Sequence, residues 1–138
     1  MAQYPHPRNP LIRLVGRIWA SPVTLIGLVL GGLGLVTGGS VRAVEGVLEF
    51  HGGWVTTLLR APFVRAYAMT LGNVILGVDA EQLDRWRMHE HGHVRQAELW
   101  GPLFLPAYGV ASVAAWLRGG HYYRDNWFEI DAAGRPNA

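Results

Sequence analysis

Two uncharged apolar runs bracket a patterned, charged middle stretch. The first lies between Trp19 and Ser40, where no side chain is charged, and from Val23 to Val36 only Thr24 and glycines interrupt it. A membrane-crossing helix needs about 20 such residues, and Ser21-Pro22 supplies a helix start. Residues 19–40 are therefore a candidate membrane helix. Gly27, Gly31, Gly32 and Gly34 would weaken a helix in water, whereas in lipid small residues let another helix approach closely. The competing interpretation is a Gly-rich buried hairpin in a soluble core. Residues 1–18, with three prolines up to Pro10, form an N-terminal arm that opens irregularly. Arg13 and Arg17 precede the apolar run as in a secretory signal, but no small-x-small cleavage site follows, which disfavours one.

Residues 41–138 carry the rest of the pattern. Val44, Gly46, Leu48 and Phe50 alternate with Glu45, Val47 and Glu49, the period of a half-buried strand, and His51-Gly52-Gly53 supplies a turn. Phe63 to Thr70 and Asn73 to Val78 read as short strands interrupted at Leu71-Gly72. Asp79 caps a helix from Ala80 to about Leu99, stopped by Gly101-Pro102. The second uncharged run, Leu103 to Leu117, contains Pro106 and is short for a span; it reads as a buried helix packed on the preceding one, with dipping into a membrane as the alternative. Asp125 or Asn126 then caps a short helix beginning at Trp127.

Composition narrows the chemistry. There are no cysteines, so disulfides, thiol catalysis and thiolate ligation are out, and any zinc must sit on His and carboxylate. The 12 basic residues are all arginine and scattered, which leaves no nucleic-acid footprint. Half the residues are apolar and 16% charged, an unusual balance for a small soluble domain.

Within the charged stretch stands His89-Glu90-His91-Gly92-His93, which fills the His-Glu-x-x-His pattern of zinc hydrolases. On a helix His89 and His93 project from one face and can share a metal ion, with Glu90 placed to act as base on a water there. A shuffled chain of this composition would match with a probability of about 0.01. A catalytic zinc site needs a third protein ligand. The metzincin positions for a Gly and a third His hold Gln96 and Leu99, which excludes that class. Gluzincins use a Glu on a later helix, and Glu129 opens one. Asp131, Asp125 and His121 are the weaker alternatives. His91, two positions from each outer histidine, faces away from the metal and is expected at the surface or against a loop. His51 could approach the site from its strand. Gln96 is placed to bond a nearby backbone group, and Tyr108, Tyr122 and Tyr123 are candidate transition-state donors.

The run HEHGHVRQAELWGPLFLPAYG followed by YRDNWFEIDA resembles a family of small bacterial HExxH proteins that look like reduced gluzincins, with HExxHxxQ, a Trp-Gly-Pro helix end and a terminal Asn-x-x-Glu. The resemblance covers roughly residues 68 to 133, about half the chain. It implies zinc on His89, His93 and Glu129, with Glu90 as general base. The position four after Glu129, where larger gluzincins often place an Asp that orients a zinc-bound His, is Ala133 here.

The expectation is thus an α+β, minimal zincin-like domain with a few short strands, the HExxH helix and a C-terminal ligand helix. Its function would be hydrolysis of peptide bonds in a peptide or protein substrate, with Ala68 to Leu76 as the edge that a substrate strand pairs with. The alternative is a catalytically inactive zincin-like subunit of a membrane-protein assembly. Arg8, Arg13 and Arg17 ahead of the apolar run, against Arg42 alone soon after it, would put the arm in the cytoplasm of a bacterium and the metal domain across the inner membrane. A shared zinc site forbids two full spans, so at most one run should cross.

Overall fold

The structure, a computed structural model, describes residues 4–134. Helix α1 (Pro10–Val36) is continuous through the glycine-rich run, so neither a start at Ser21-Pro22 nor a hairpin is found. Asn9 sets the earlier start: its side-chain oxygen accepts from the backbone N–H of Leu11 and Ile12, and Pro10 occupies the first turn, where a missing N–H costs nothing. Gly16, Ala20, Gly27, Gly31 and Gly34 line its buried side. Gly27 and Gly31 admit the sheet, while Gly16 meets Glu98 and Gly34 meets Val55, both on other helices. A Cβ on Gly31 would lie 2.5 Å from the Phe50 ring, and one on Gly27 2.8 Å from the Val74 side chain.

Four strands form the sheet: β1 (Ser40–Val44), β2 (Val47–His51), β3 (Ala68–Leu71) and β4 (Val74–Gly77), in spatial order β1-β2-β4-β3. The β1–β2 and β3–β4 pairs are antiparallel, and β2–β4 is parallel. The alternation from Val44 to Phe50 is therefore two strands. Glu45 (φ 51°) and Gly46 (φ 75°) make a two-residue turn with both residues in the left-handed region, as type I′ hairpins require. Arg13 donates to the Glu45 carbonyl and Arg17 to the Gly46 carbonyl, pinning the turn onto α1. Helix α2 (Trp54–Arg60), which the pattern did not announce, follows the expected Gly52-Gly53 turn. Phe63 to Arg65 lie in a turn instead of a strand: the Ala61 carbonyl accepts from both Val64 and Arg65. Strand pairing starts only at Ala68. Because β4 lies inside the sheet, only β3 of the stretch Ala68 to Leu76 is an edge strand.

The sheet is covered on both faces. Phe50, Leu71, Val74 and Leu76 meet α1 and α2 with Val23, Val55 and Leu59, and Val47 and Ile75 meet α3 (Ala80–Trp100) through Leu83 and Val94. Each such side chain, fully buried, contributes about 1.5–3 kcal/mol. Asp79 caps α3 as expected, accepting from Gln82 N–H. A single 3-10 turn (Gly101–Leu103) leads into α4 (Phe104–Leu117), and α5 (Trp127–Gly134) closes the described chain. Ala20, Ala97, Phe104 and Phe128 bring α1, α3, α4 and α5 to one point.

Helix α4 is not the buried helix expected. Only Phe104 and Ala115 on it are buried, because it leans on α5 and the corner of α3 and turns its other side outward. Among the described residues, two helical stretches are long and apolar enough to cross a membrane: Pro10–Val36, and the run Ala80–Leu117 that joins α3 to α4.

Candidate metal centre

His89 and His93 stand one turn apart on α3, and α5 brings Glu129 between them. Glu129 Oε1 lies 2.8 Å from His89 Nε2 and 3.0 Å from His93 Nε2. The three ligand atoms are within 4.8 Å of one another, close enough to hold one metal ion. Asp125, Asp131 and His121 are not in this group. Asp125 accepts from the His121 N–H, and His121 Nδ1 accepts from the Tyr123 and Arg124 N–H groups, so both build the turn before α5.

Asn126 delivers Glu129. Its side-chain oxygen caps α5 at the Phe128 N–H, and its amide nitrogen reaches back to the Tyr108 carbonyl and the Ser112 hydroxyl on α4. The Tyr108 hydroxyl donates to Glu129 Oε2, leaving Oε1 to face the histidines. Burial and Glu129 both push the Tyr108 pKa up, so this phenol stays a donor.

The donor set fits a metal. Gln96 Oε1 sits 2.8 Å from His93 Nδ1, while Gln96 Nε2 donates to the Phe128 carbonyl and to Asp131. The amide orientation is thereby forced, His93 Nδ1 must carry hydrogen, and Nε2 is the nitrogen turned to the shared point. Burial opposes charge on His93, but the bond to Glu129 and the nearby Glu90 and Glu129 carboxylates hold its pKa up at about 9. Burial likewise opposes charge on Glu129, and its bonds to His89, His93 and Tyr108 hold it far below the usual carboxylate range. A cation arriving here displaces a proton from a site already built for positive charge.

Glu90 lies on the sheet side of the same helix. Its carboxylate Oε2 accepts from the Thr70 hydroxyl on β3 at 2.6 Å. Glu90, His93 and Glu129 all open into a cleft of about 770 Å³ whose walls are β3 with the preceding loop, Phe104, Leu105 and Tyr108 of α4, and Tyr122 and Tyr123. The Tyr123 pKa is pushed up by burial and by the Glu129 and Glu90 carboxylates. His51 ends β2, paired with Ser40 and Gly77, and does not line this cleft.

His91 faces away from the metal ligands, and of its two expected placements it takes the one against a loop: it is fully buried, not at the surface. Its Nδ1 is 2.6 Å from His6 Nε2, and Tyr4 packs edge-on against its ring, so the N-terminal arm is held behind the metal helix. Burial, with Arg13 and His91 nearby, brings the His6 pKa down to about 3, which keeps the His6 ring neutral in that contact. On the same side Glu49, expected on the solvated face of its strand, is fully buried under Arg42 and Arg87, with bonds of 2.9 Å from each. Neither Thr70 nor Glu49 stood out in the sequence, since their partners are distant along the chain.

Compared with protein-family models, with curated proteins and with solved structures, the chain has no match.

Proposed function

We propose that the chain is a zinc-dependent peptidase working in association with a membrane, and the observation that carries this is the convergence of His89, His93 and Glu129 beside a cleft that His93, Glu129, Glu90 and the free edge of β3 line. Two imidazoles, one carboxylate and no thiolate suit zinc. When bound, zinc supplies the Lewis acidity that makes water a nucleophile near neutral pH. Glu90, its carboxylate aimed by Thr70, would be the base for the attacking water and would return the proton to the leaving amine. Tyr108, bonded to Glu129, positions a ligand, and Tyr123, which lines the cleft and also reaches Glu129, is the phenol that donates to the carbonyl oxygen as it gains charge. An extended peptide adds to β3 through main-chain bonds, which favours a peptide over a small molecule as substrate. The zincin-like identity of the fold is part of the same proposal.

The expected sidedness depended on a bilayer separating the arm from the metal domain. Tyr4 and His6 lie against His91, which supports placing arm and metal helix on one side, and we propose membrane association without that crossing.

A second reading, an inactive zincin-like subunit of a membrane assembly, draws support from the exposed apolar sides of α1 and α4. Metal analysis of the purified chain and of His93→Ala, followed by peptide hydrolysis with Glu90→Gln, separates the two. Stoichiometric zinc lost in His93→Ala, with turnover reduced about 100-fold or more in Glu90→Gln at unchanged zinc content, is the expected result. Zinc without turnover would favour the subunit; no zinc in either protein would remove the peptidase.

A further inference from the structure

We propose that the outer faces of α1 and α4 form one continuous surface that lies in the plane of a lipid bilayer, seated among the acyl chains, with the whole domain on one side. On α1, Leu11, Val15, Ile18, Leu25, Val29 and Val36 are each more than half exposed, and no exposed position of the helix carries a charge. At about 1.5 Å per residue the strip runs for about 40 Å. Arg13 and Arg17, the only charged residues in α1, turn away from it to the Glu45 and Gly46 carbonyls. On α4 and the turn before it, Leu103, Val110, Val113, Trp116 and Leu117 are also more than half exposed, again with no charge among them. The faces join where Trp19 lies over Gly101, whose Cβ would sit 2.3 Å from the indole, with Trp19 Nε1 donating to the Leu99 carbonyl.

The composition of the strip selects lipid over protein. Protein interfaces carry about one hydrogen bond per 100–200 Å². Here the exposed side of α1 offers Ser21 and an indole already bonded, and the exposed side of α4 offers one indole, Trp116. Acyl chains need no hydrogen bonds. Charged side chains return at the ends, Arg8 before α1 and Arg118 after α4, both exposed and placed for anionic headgroups.

The packing selects lying over crossing. The inner side of α1 is used from end to end, Gly16 on Glu98, Gly27 on Val74, Gly31 on Phe50 and Gly34 on Val55. A crossing helix would carry the sheet and its Arg42–Glu49–Arg87 cluster into hydrocarbon, while a helix lying in the interface buries only its outer face. Since α4 also walls the cleft, docking would set the cleft beside the bilayer, within reach of juxtamembrane peptide segments. The docking itself does not depend on the metal.

The test is flotation of the full chain, purified in detergent, with sealed vesicles of phosphatidylcholine alone or mixed with phosphatidylglycerol. Flotation with both, stronger with the anionic lipid and retained in high salt, is expected. Ile18→Glu/Leu25→Glu/Val29→Glu should lower the bound fraction about tenfold or more with unchanged circular dichroism, and Val113→Glu alone, on the other helix, should lower it by less. Tags at both termini should be removable by protease added outside. A tag protected inside the vesicles would mean a crossing and overturn the proposal. So would a soluble dimer that does not float, which would assign the surface to a second copy of the chain, or full binding by both variants.

Discussion

Gln96 has one acceptor oxygen and two amide hydrogens, and all three are engaged: His93 on one side, the Phe128 carbonyl and Asp131 on the other. An imidazole is a better and better-aimed ligand when its second nitrogen is held by a hydrogen bond. In larger gluzincins an Asp four positions after the ligand Glu often performs this, and that position here is Ala133. The structure finds the support three positions after His93, on the metal helix itself, with Asp131 accepting from Gln96 behind it. Gln96→Leu, which keeps the volume and removes every bond, should therefore weaken the proposed zinc binding about 10- to 100-fold. Competition against a fluorescent chelator would read this, and an unchanged affinity would show that His93 is oriented by packing alone.

At the scale of elements, α1 decides how the sheet is covered, and glycine decides where α1 can lie. Gly31 and Gly32 are adjacent and opposite in consequence. A Cβ at Gly31 meets the Phe50 ring at 2.5 Å, whereas at Gly32 nothing lies within 4 Å. Gly31→Ala should destabilise the fold by about 1–3 kcal/mol through overpacking, and Gly32→Ala should stabilise it by about 0.5–1 kcal/mol by removing a helix-weakening residue. Denaturation of the two variants under one condition checks both signs together. Equal shifts would mean that α1 does not rest on Phe50. The glycines themselves were evident in the sequence, but their spacing does not say whether a helix or a sheet will approach them. The same limit explains the β1–β2 turn. Alternation reads through Glu45-Gly46 without a break, since a glutamate at positive φ is uncommon and gives no local signal.

For the whole molecule, the segments that local chemistry punctuates were legible. Asp79 before α3, Gly101-Pro102 after it and Asn126 before α5 each mark a boundary that the chain observes, and the metal ligands fall on the helices so marked. What could not be read depends on contacts across the fold, and Glu49 is the clearest instance. Nothing near it in sequence explains a fully buried carboxylate. Arg42 from β1 and Arg87 from the metal helix converge on it, so the group ties the first hairpin to α3. Burial alone would raise its pKa. His91 beside it and the bonds from Arg87 and Arg42 outweigh that and bring it from the ordinary 4.5 down to about 2. A carboxylate with a lowered folded-state pKa contributes stability that is complete above its unfolded value and is lost as pH falls through the folded one. The difference corresponds to about 3 kcal/mol, complete above pH ~4.5 and gone near pH ~2. Glu49→Gln should therefore be less stable than the parent at neutral pH by about that amount, and the two stability curves should converge between pH ~4.5 and ~2. Urea unfolding measured across this range would show it. Curves that stay parallel would mean that the carboxylate gains nothing from its two arginines beyond the cost of its burial.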